Sequence, residues 1–153
     1  MKTLVVYFSK HGHTKKIGDD IAKALKADVE ALEDTRDRTH LASWFKNAFD
    51  DGLKTPTKIK QPKMNPSSYD LVIIGTPIWD GIVPPVRAYL EMFKGKFKKV
   101  AFFSTFGASA ENAFWHMEKA CGKSPIATLE LQDKQINSGN DGGRIGEFLG
   151  KLK

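Results

Sequence analysis

Cysteine is nearly absent from this chain: Cys121 stands alone among 153 residues. One thiol allows no intrachain disulfide, no Cys-x-x-Cys redox pair and no thiolate metal cage. If the protein moves electrons, a bound cofactor has to carry them. Cys121 itself, directly before Gly122, reads as a helix-end packing residue. Long hydrophobic runs are absent too. None approaches the roughly 20 residues of a membrane-spanning helix. The apolar stretch after Met1-Lys2-Thr3 stops at Ser9-Lys10-His11, too early for a secretory signal, so a cytoplasmic protein is expected. There is no internal repeat and no low-complexity segment. His40 and His116 have no partner at metal-ligand spacing. Zinc-finger spacing and RNA-binding aromatic–glycine signatures are missing, and the lysines are dispersed, so nucleic acid is not the expected partner.

What is present is an ordinary apolar content and an excess of base. The length fits one domain, residues 1–153, with a core of its own. The net charge of +6 favours anionic ligands and acidic partners. Leu4-Val5-Val6-Tyr7-Phe8 is a strand-forming run. Ile17, Ile21, Ala24 and Leu25 then repeat at helical spacing. Asp28–Glu33 reads as a short second strand. Thr35–Thr39 reads as a surface turn. Leu41, Trp44, Phe45, Ala48 and Phe49 form an aromatic helical stripe, and Lys54–Ser68 a long proline-containing connection. The clearest strand, Leu71-Val72-Ile73-Ile74-Gly75, is apolar throughout, as in a parallel strand buried on both faces. Pro84-Pro85 opens a helix with Val86, Tyr89, Leu90 and Phe93 inward. A strand starting at Phe97 or Val100 ends at Ser104. A helix over Ala110–Cys121, a strand over Ile126–Leu131, a flexible glycine-rich stretch over Asn137–Gly143 and a last helix complete the chain. Lys94, Lys96, Lys98 and Lys99 read as a solvated turn or a dock for an acidic partner.

Strands alternating with helices predict an α/β fold, a five-stranded parallel sheet between two helical layers. In such sheets ligands bind beyond the carboxyl ends of the strands, where strand order reverses. Three segments leave those ends. Ser9-Lys10-His11-Gly12-His13-Thr14 sits between a buried strand and a helix N-terminus. There the leading N–H groups have no internal partner and the dipole is positive, which suits a phosphate. It is neither a Walker A loop nor a dinucleotide fingerprint. Thr76-Pro77-Ile78-Trp79-Asp80-Gly81 offers an aromatic plane beside a glycine. Thr105-Phe106-Gly107-Ala108 is the third. A phosphate cradle beside aromatic planes suits a flat phosphorylated ligand, and FMN is the simplest.

On these segments the chain resembles the short-chain flavodoxins and small flavodoxin-like FMN-binding proteins over essentially its whole length. Ser9-x-x-Gly12-x-Thr14 is similar to the family's phosphate loop. Gly75-Thr76-Pro77-Ile78-Trp79 resembles its Gly-x-Pro-x-Trp flavin loop. The resemblance implies strand order 2-1-3-4-5 and FMN as cofactor. It implies that Ser9, Lys10, His11, Gly12, His13 and Thr14 bind the phosphate. Thr76, Pro77, Ile78, Trp79, Asp80 and Gly81 would line the isoalloxazine ring, with the Asp80–Gly81 peptide offering a carbonyl to N5–H. Thr105, Phe106, Gly107 and Ala108 would contact the pyrimidine end. No metal and no catalytic side chain are implied. The implied function is a low-potential electron carrier between redox partner proteins, working as a monomer or weak dimer; the docking surfaces of those partners are expected to be acidic from this chain's positive charge, not from the resemblance. The alternative is an FMN-dependent NAD(P)H:quinone-type oxidoreductase. A flavin-free receiver domain is disfavoured, because receivers cluster carboxylates where this chain has Ser9-Lys10-His11.

Overall fold

In the computed structural model, which describes residues 1–34 and 59–153, the apolar runs become the central strands of one sheet. β1 (Thr3–Tyr7) pairs in parallel with β2 (Asp28–Ala31) on one side and β3 (Leu71–Pro77) on the other. β4 (Val100–Phe106) and β5 (Thr128–Gln132) follow β3, again parallel, giving the order β2-β1-β3-β4-β5. The predicted five-stranded parallel sheet and its order are thus present. β1, β3 and β4 are buried almost from end to end because helices cover both faces.

Successive side chains of a strand point to opposite faces, so each strand feeds two cores. Leu4, Val6, Val72, Ile74 and Phe102 pack on the side of α2 (Pro84–Met92) and α3 (Ala113–Cys121). Val5, Tyr7, Ile73, Ala101 and Phe103 pack on the side of α1 (His13–Leu25) and, with α4 (Asp133–Asn137) before it, α5 (Gly142–Lys151). The predicted helix over 41–49 and the turn over 35–39 lie outside the described residues, as do His40 and residues 54–58 of the long connection.

Some boundaries differ from the sequence pattern. The helix expected from Ala110 begins at Ala113, because Glu111 and Asn112 both take left-handed backbone (φ 55° and 53°) that a right-handed helix cannot include. The stretch expected to be flexible around Asn137–Gly143 is flanked by helix on both sides. α4 starts on a reciprocal cap between Gln132 and Gln135. α5 is held at its start by buried Asp141, whose carboxylate accepts from Lys16 Nζ at 2.8 Å. That ammonium holds the Asp141 carboxyl below the usual carboxylate range.

The three tyrosines are all displaced from ordinary behaviour. Burial, with Asp19 as hydrogen-bond acceptor, raises the Tyr7 phenol. Burial and a 2.7 Å hydrogen bond to Asp28 push Tyr69 up to about 12. Tyr89 is fully buried, with no hydrogen-bond partner among the described residues, and burial raises it as well. A phenol raised above its unfolded value of about 10 adds stability that is complete below that pH and is lost as pH climbs through the folded value. Ultraviolet difference titration is therefore expected to show little tyrosinate near pH ~10, then a sharp rise that coincides with unfolding. An ordinary midpoint near ~10 in the folded protein contradicts this packing.

Candidate functional site

The crevice lies at the carboxyl ends of β1, β3 and β4. Its first wall is the turn from β1 into α1. Gly12 is the N-cap at φ +98°, a conformation glycine takes freely, and its N–H donates to Ser9 Oγ at 3.2 Å. No side chain caps α1 and its first turn carries no acid. The leading N–H groups of the helix, with the positive end of its dipole, are therefore open to an anion. Lys10 adds a cation at the same mouth.

The second wall is the end of β3. Pairing runs further than the apolar pattern indicates, through Thr76↔Ser104 and Pro77↔Thr105. Thr76, Pro77, Thr105 and Phe106 consequently sit on strand ends where loops are expected. Pro77 is tolerated because it lies beyond the last residue paired to β1, so no ladder donor is lost there. Past it, Ile78 and Ile82 close a tight antiparallel bridge with Gly81 at φ +95°. Trp79 stands on this bend, 43% exposed. Phe8 meets its ring edge-on at 5.9 Å, and Lys10 Nζ lies 5.4 Å from its ring centre. An indole held from two directions is a shaped wall rather than a free side chain.

The residues that line the crevice are Ser9, Lys10, His11, His13, Thr14, Pro77, Ile78, Trp79, Thr105 and Asp133. They enclose a cavity of about 140 Å³ that opens to solvent. Thr14 and Thr105 are buried and their hydroxyls meet at 2.8 Å, tying α1 to β4 across the floor. When Thr105 donates in that pair, Thr14 keeps its own proton for a ligand.

Other expected residues fall elsewhere. Thr76 is fully buried and donates to the Pro77 carbonyl. Asp80 and Gly81 line a second, smaller cavity that shares Trp79 with the crevice, together with Arg87. Phe106, Gly107 and Ala108 do not line the crevice, although the Gly107 carbonyl accepts from Gln132 Nε2 at 2.9 Å.

Asp133 escaped the sequence reading. It opens α4, and its carboxylate lies 3.4 Å from His13 Nδ1, while His13 Nε2 lies 2.9 Å from Asn137 Oδ1. α4 thus forms a third wall, and Asp133 and Asn137 at its two ends fix the His13 ring. The only advance signal was the Gln132–Gln135 spacing, which marks a helix start.

An anion-ready helix terminus facing a held aromatic ring, at the switch point of a parallel sheet ordered 2-1-3-4-5, defines a nucleotide-type cofactor protein of the doubly wound class. The chain matches the family model described as Flavodoxin over residues 2–140, and it belongs to the flavodoxin family. No curated protein matches it. Among solved structures, it is similar to a flavoprotein of Lactobacillus acidophilus NCFM determined in complex with FMN. The two share 24% identity and a TM-score of 0.72, over 90% of this chain and 97% of that one. It is also similar to oxidised flavodoxin 2 of Bacillus cereus (18% identity, TM-score 0.55, 96% and 99% coverage). Two-electron-reduced Megasphaera elsdenii flavodoxin is a third (22% identity, TM-score 0.52, 97% and 98% coverage). At these identities the likenesses speak for the fold. No helix among the described residues is long and apolar enough to cross a membrane.

Proposed function

We propose that the chain binds FMN in this crevice and carries electrons between partner proteins. The observation that carries the reading is the uncapped, acid-free start of α1 directly across from Trp79: one end takes a phosphate and the other a flat ring. The residues present fit that ligand. The N–H groups of the first turn of α1 and the Ser9 and Thr14 hydroxyls would hold the phosphate. Ile78 and Trp79 would lie against the ring and keep water from it. Gly81, with open space where a Cβ would sit, lets the preceding peptide turn over and offer its carbonyl to a ring N–H. Bound FMN supplies the one- and two-electron redox chemistry; the protein sets its potential and access. The net charge of +6 favours partners with acidic docking surfaces.

The test is titration of the apoprotein with FMN and with riboflavin, followed by flavin fluorescence. FMN is expected to bind tighter by about a hundredfold or more, since only it reaches the helix terminus with a charge. Absence of FMN binding overturns the reading. Stepwise anaerobic reduction then separates the roles. Two resolved one-electron steps support a carrier. A single two-electron step together with rapid NAD(P)H-driven quinone reduction replaces the carrier with an FMN-dependent reductase.

Asp80 gives a further expectation. It follows Trp79 in the chain and lines a cavity with it, and a carboxylate there disfavours negative charge added to the ring. Asp80→Asn is expected to raise the reduction potential by roughly 30 mV at low salt, less as salt screens the charge. Potentiometry of both proteins checks this, and an unchanged potential shows that the carboxylate does not act on the ring.

A further inference from the structure

The two ends of the sheet differ in character. Because the strands are parallel, their amino ends form one pole and the crevice sits at the other. At the amino pole six lysines gather: Lys2, Lys94, Lys96, Lys98, Lys99 and Lys123. All but half-buried Lys123 are exposed. Contacts tie Lys2, Lys94, Lys98 and Lys123 together, and Lys96 and Lys99 lie on the same exposed segment. Asp70 accepts from the Lys2 backbone N–H at 2.7 Å and faces Lys98 Nζ at 3.8 Å. Lys123 Nζ donates to the Lys98 carbonyl at 3.0 Å. A Cβ on Gly122 would lie 3.2 Å from Lys94 Cε. Asp70 is the carboxylate in these contacts, while exposed Glu91 precedes Met92 and Glu118 accepts from Ser124 Oγ beside Lys123, so the lysines outnumber the acids at this pole. Beside them Met92 is 48% exposed and Ile126 is 44% exposed, the latter hydrogen-bonded through its N–H to the carbonyl of Val100, next to Lys99.

Local stability accounts for part of this arrangement: Lys94 and Lys123 follow the C-terminal ends of α2 and α3, and Lys98 faces Asp70. A helix dipole favours lysine in the last turn of a helix. Lys2, Lys98 and Lys99 instead precede strands, and Lys96 follows the turn after α2, its N–H donating to the Phe93 carbonyl. Four like charges between residues 94 and 99 repel one another. The patch uses lysine and no arginine, so it offers point charges to a diffuse anionic surface rather than a bidentate fork for a defined phosphate or base. Large apolar side chains exposed among such lysines match the chemistry of a lipid interface, with anionic headgroups above an apolar layer.

We propose that this pole docks the protein on an anionic phospholipid surface. The lysines face the headgroups, Met92 and Ile126 enter the interface, and the crevice is turned outward toward soluble partners. The inference stands whatever the crevice binds.

Cosedimentation of the full chain with phosphatidylcholine vesicles, with and without phosphatidylserine, tests it. Binding is expected only to the phosphatidylserine vesicles and is expected to weaken as salt rises. Lys96→Glu with Lys99→Glu is expected to lower that binding at least about tenfold, with the melting temperature retained. Met92→Ser is expected to lower it with the charge unchanged. Equal binding to both vesicle types overturns the proposal. So does no binding at low salt, an unchanged double variant, or tight binding to an acidic polypeptide or to DNA while the vesicles stay free.

Discussion

Gly75→Ala is expected to destabilise the fold severely. Gly75 lies in the middle of the sheet, opposite Tyr7 on β1 and Phe103 on β4. A Cβ there would lie 2.0 Å from Phe103 Cζ and 2.3 and 2.4 Å from its Cε2 and Cε1. Phe103 is fully buried and packed among Ile17, Ile73 and Leu131, so its ring has nowhere to go. Ordinary overpacking costs about 1–3 kcal/mol. A methyl placed inside a ring exceeds that range, and a domain of this size has about 5–15 kcal/mol in total. Urea unfolding of wild type and variant measures the loss, expected to be at least about 3 kcal/mol. Gly75→Ala with Phe103→Leu is expected to recover part of it, because the shortened side chain vacates the methyl's place. Gly146→Ala on the exposed face of α5, where a Cβ meets nothing, is expected to be neutral or stabilising by up to about 1 kcal/mol. A loss below about 1 kcal/mol for Gly75→Ala shows that β3 and β4 do not approach as closely as described here.

Gly12→Ala is expected to give the largest functional effect of any single methyl. Nothing crowds the position, so the effect is conformational: φ +98° is strained for any residue with a Cβ. Alanine pulls the turn toward negative φ and rotates the N–H groups that open α1. Each of those donors gives a charge-assisted bond to a phosphate, and such bonds are lost steeply with misalignment. FMN affinity is expected to fall about a hundredfold. Riboflavin affinity is expected to change less than about threefold, since the sugar alcohol without phosphate does not depend on those donors. Fluorescence titration with both ligands reads the two numbers. Equal losses for both show that Gly12 shapes the ring pocket instead of the phosphate cradle.

The same physics decides which parts of the protein the sequence disclosed. Val5, Val6, Leu71–Ile74 and Phe102–Phe103 announce buried parallel strands because burial on both faces demands continuous apolar character. Ile17 and Ile21 announce α1 because one helical face must meet that sheet. Strand order came instead from the resemblance of Ser9-x-x-Gly12-x-Thr14 and Gly75-Thr76-Pro77-Ile78-Trp79 to a known family, since periodicity carries no information on which strands are neighbours.

Within the site, Ser9 to Thr14 and Pro77 to Trp79 were legible for a local reason. A glycine, hydroxyls and an aromatic residue directly after an apolar run mark the end of a strand where ligands bind. Asp133 was not legible, because nothing near it in the chain shows that α4 folds back to meet His13, 120 residues earlier. The Thr14–Thr105 bond and the placement of Asp80 in a second cavity with Arg87 share that origin. Sequence by itself determined the class of fold and the two segments that face each other across the crevice, because hydrophobic periodicity and backbone chemistry are local properties. Tertiary structure alone decided which wall each side chain lines and that six lysines share one pole, because these depend on how distant segments pack once the sheet has formed.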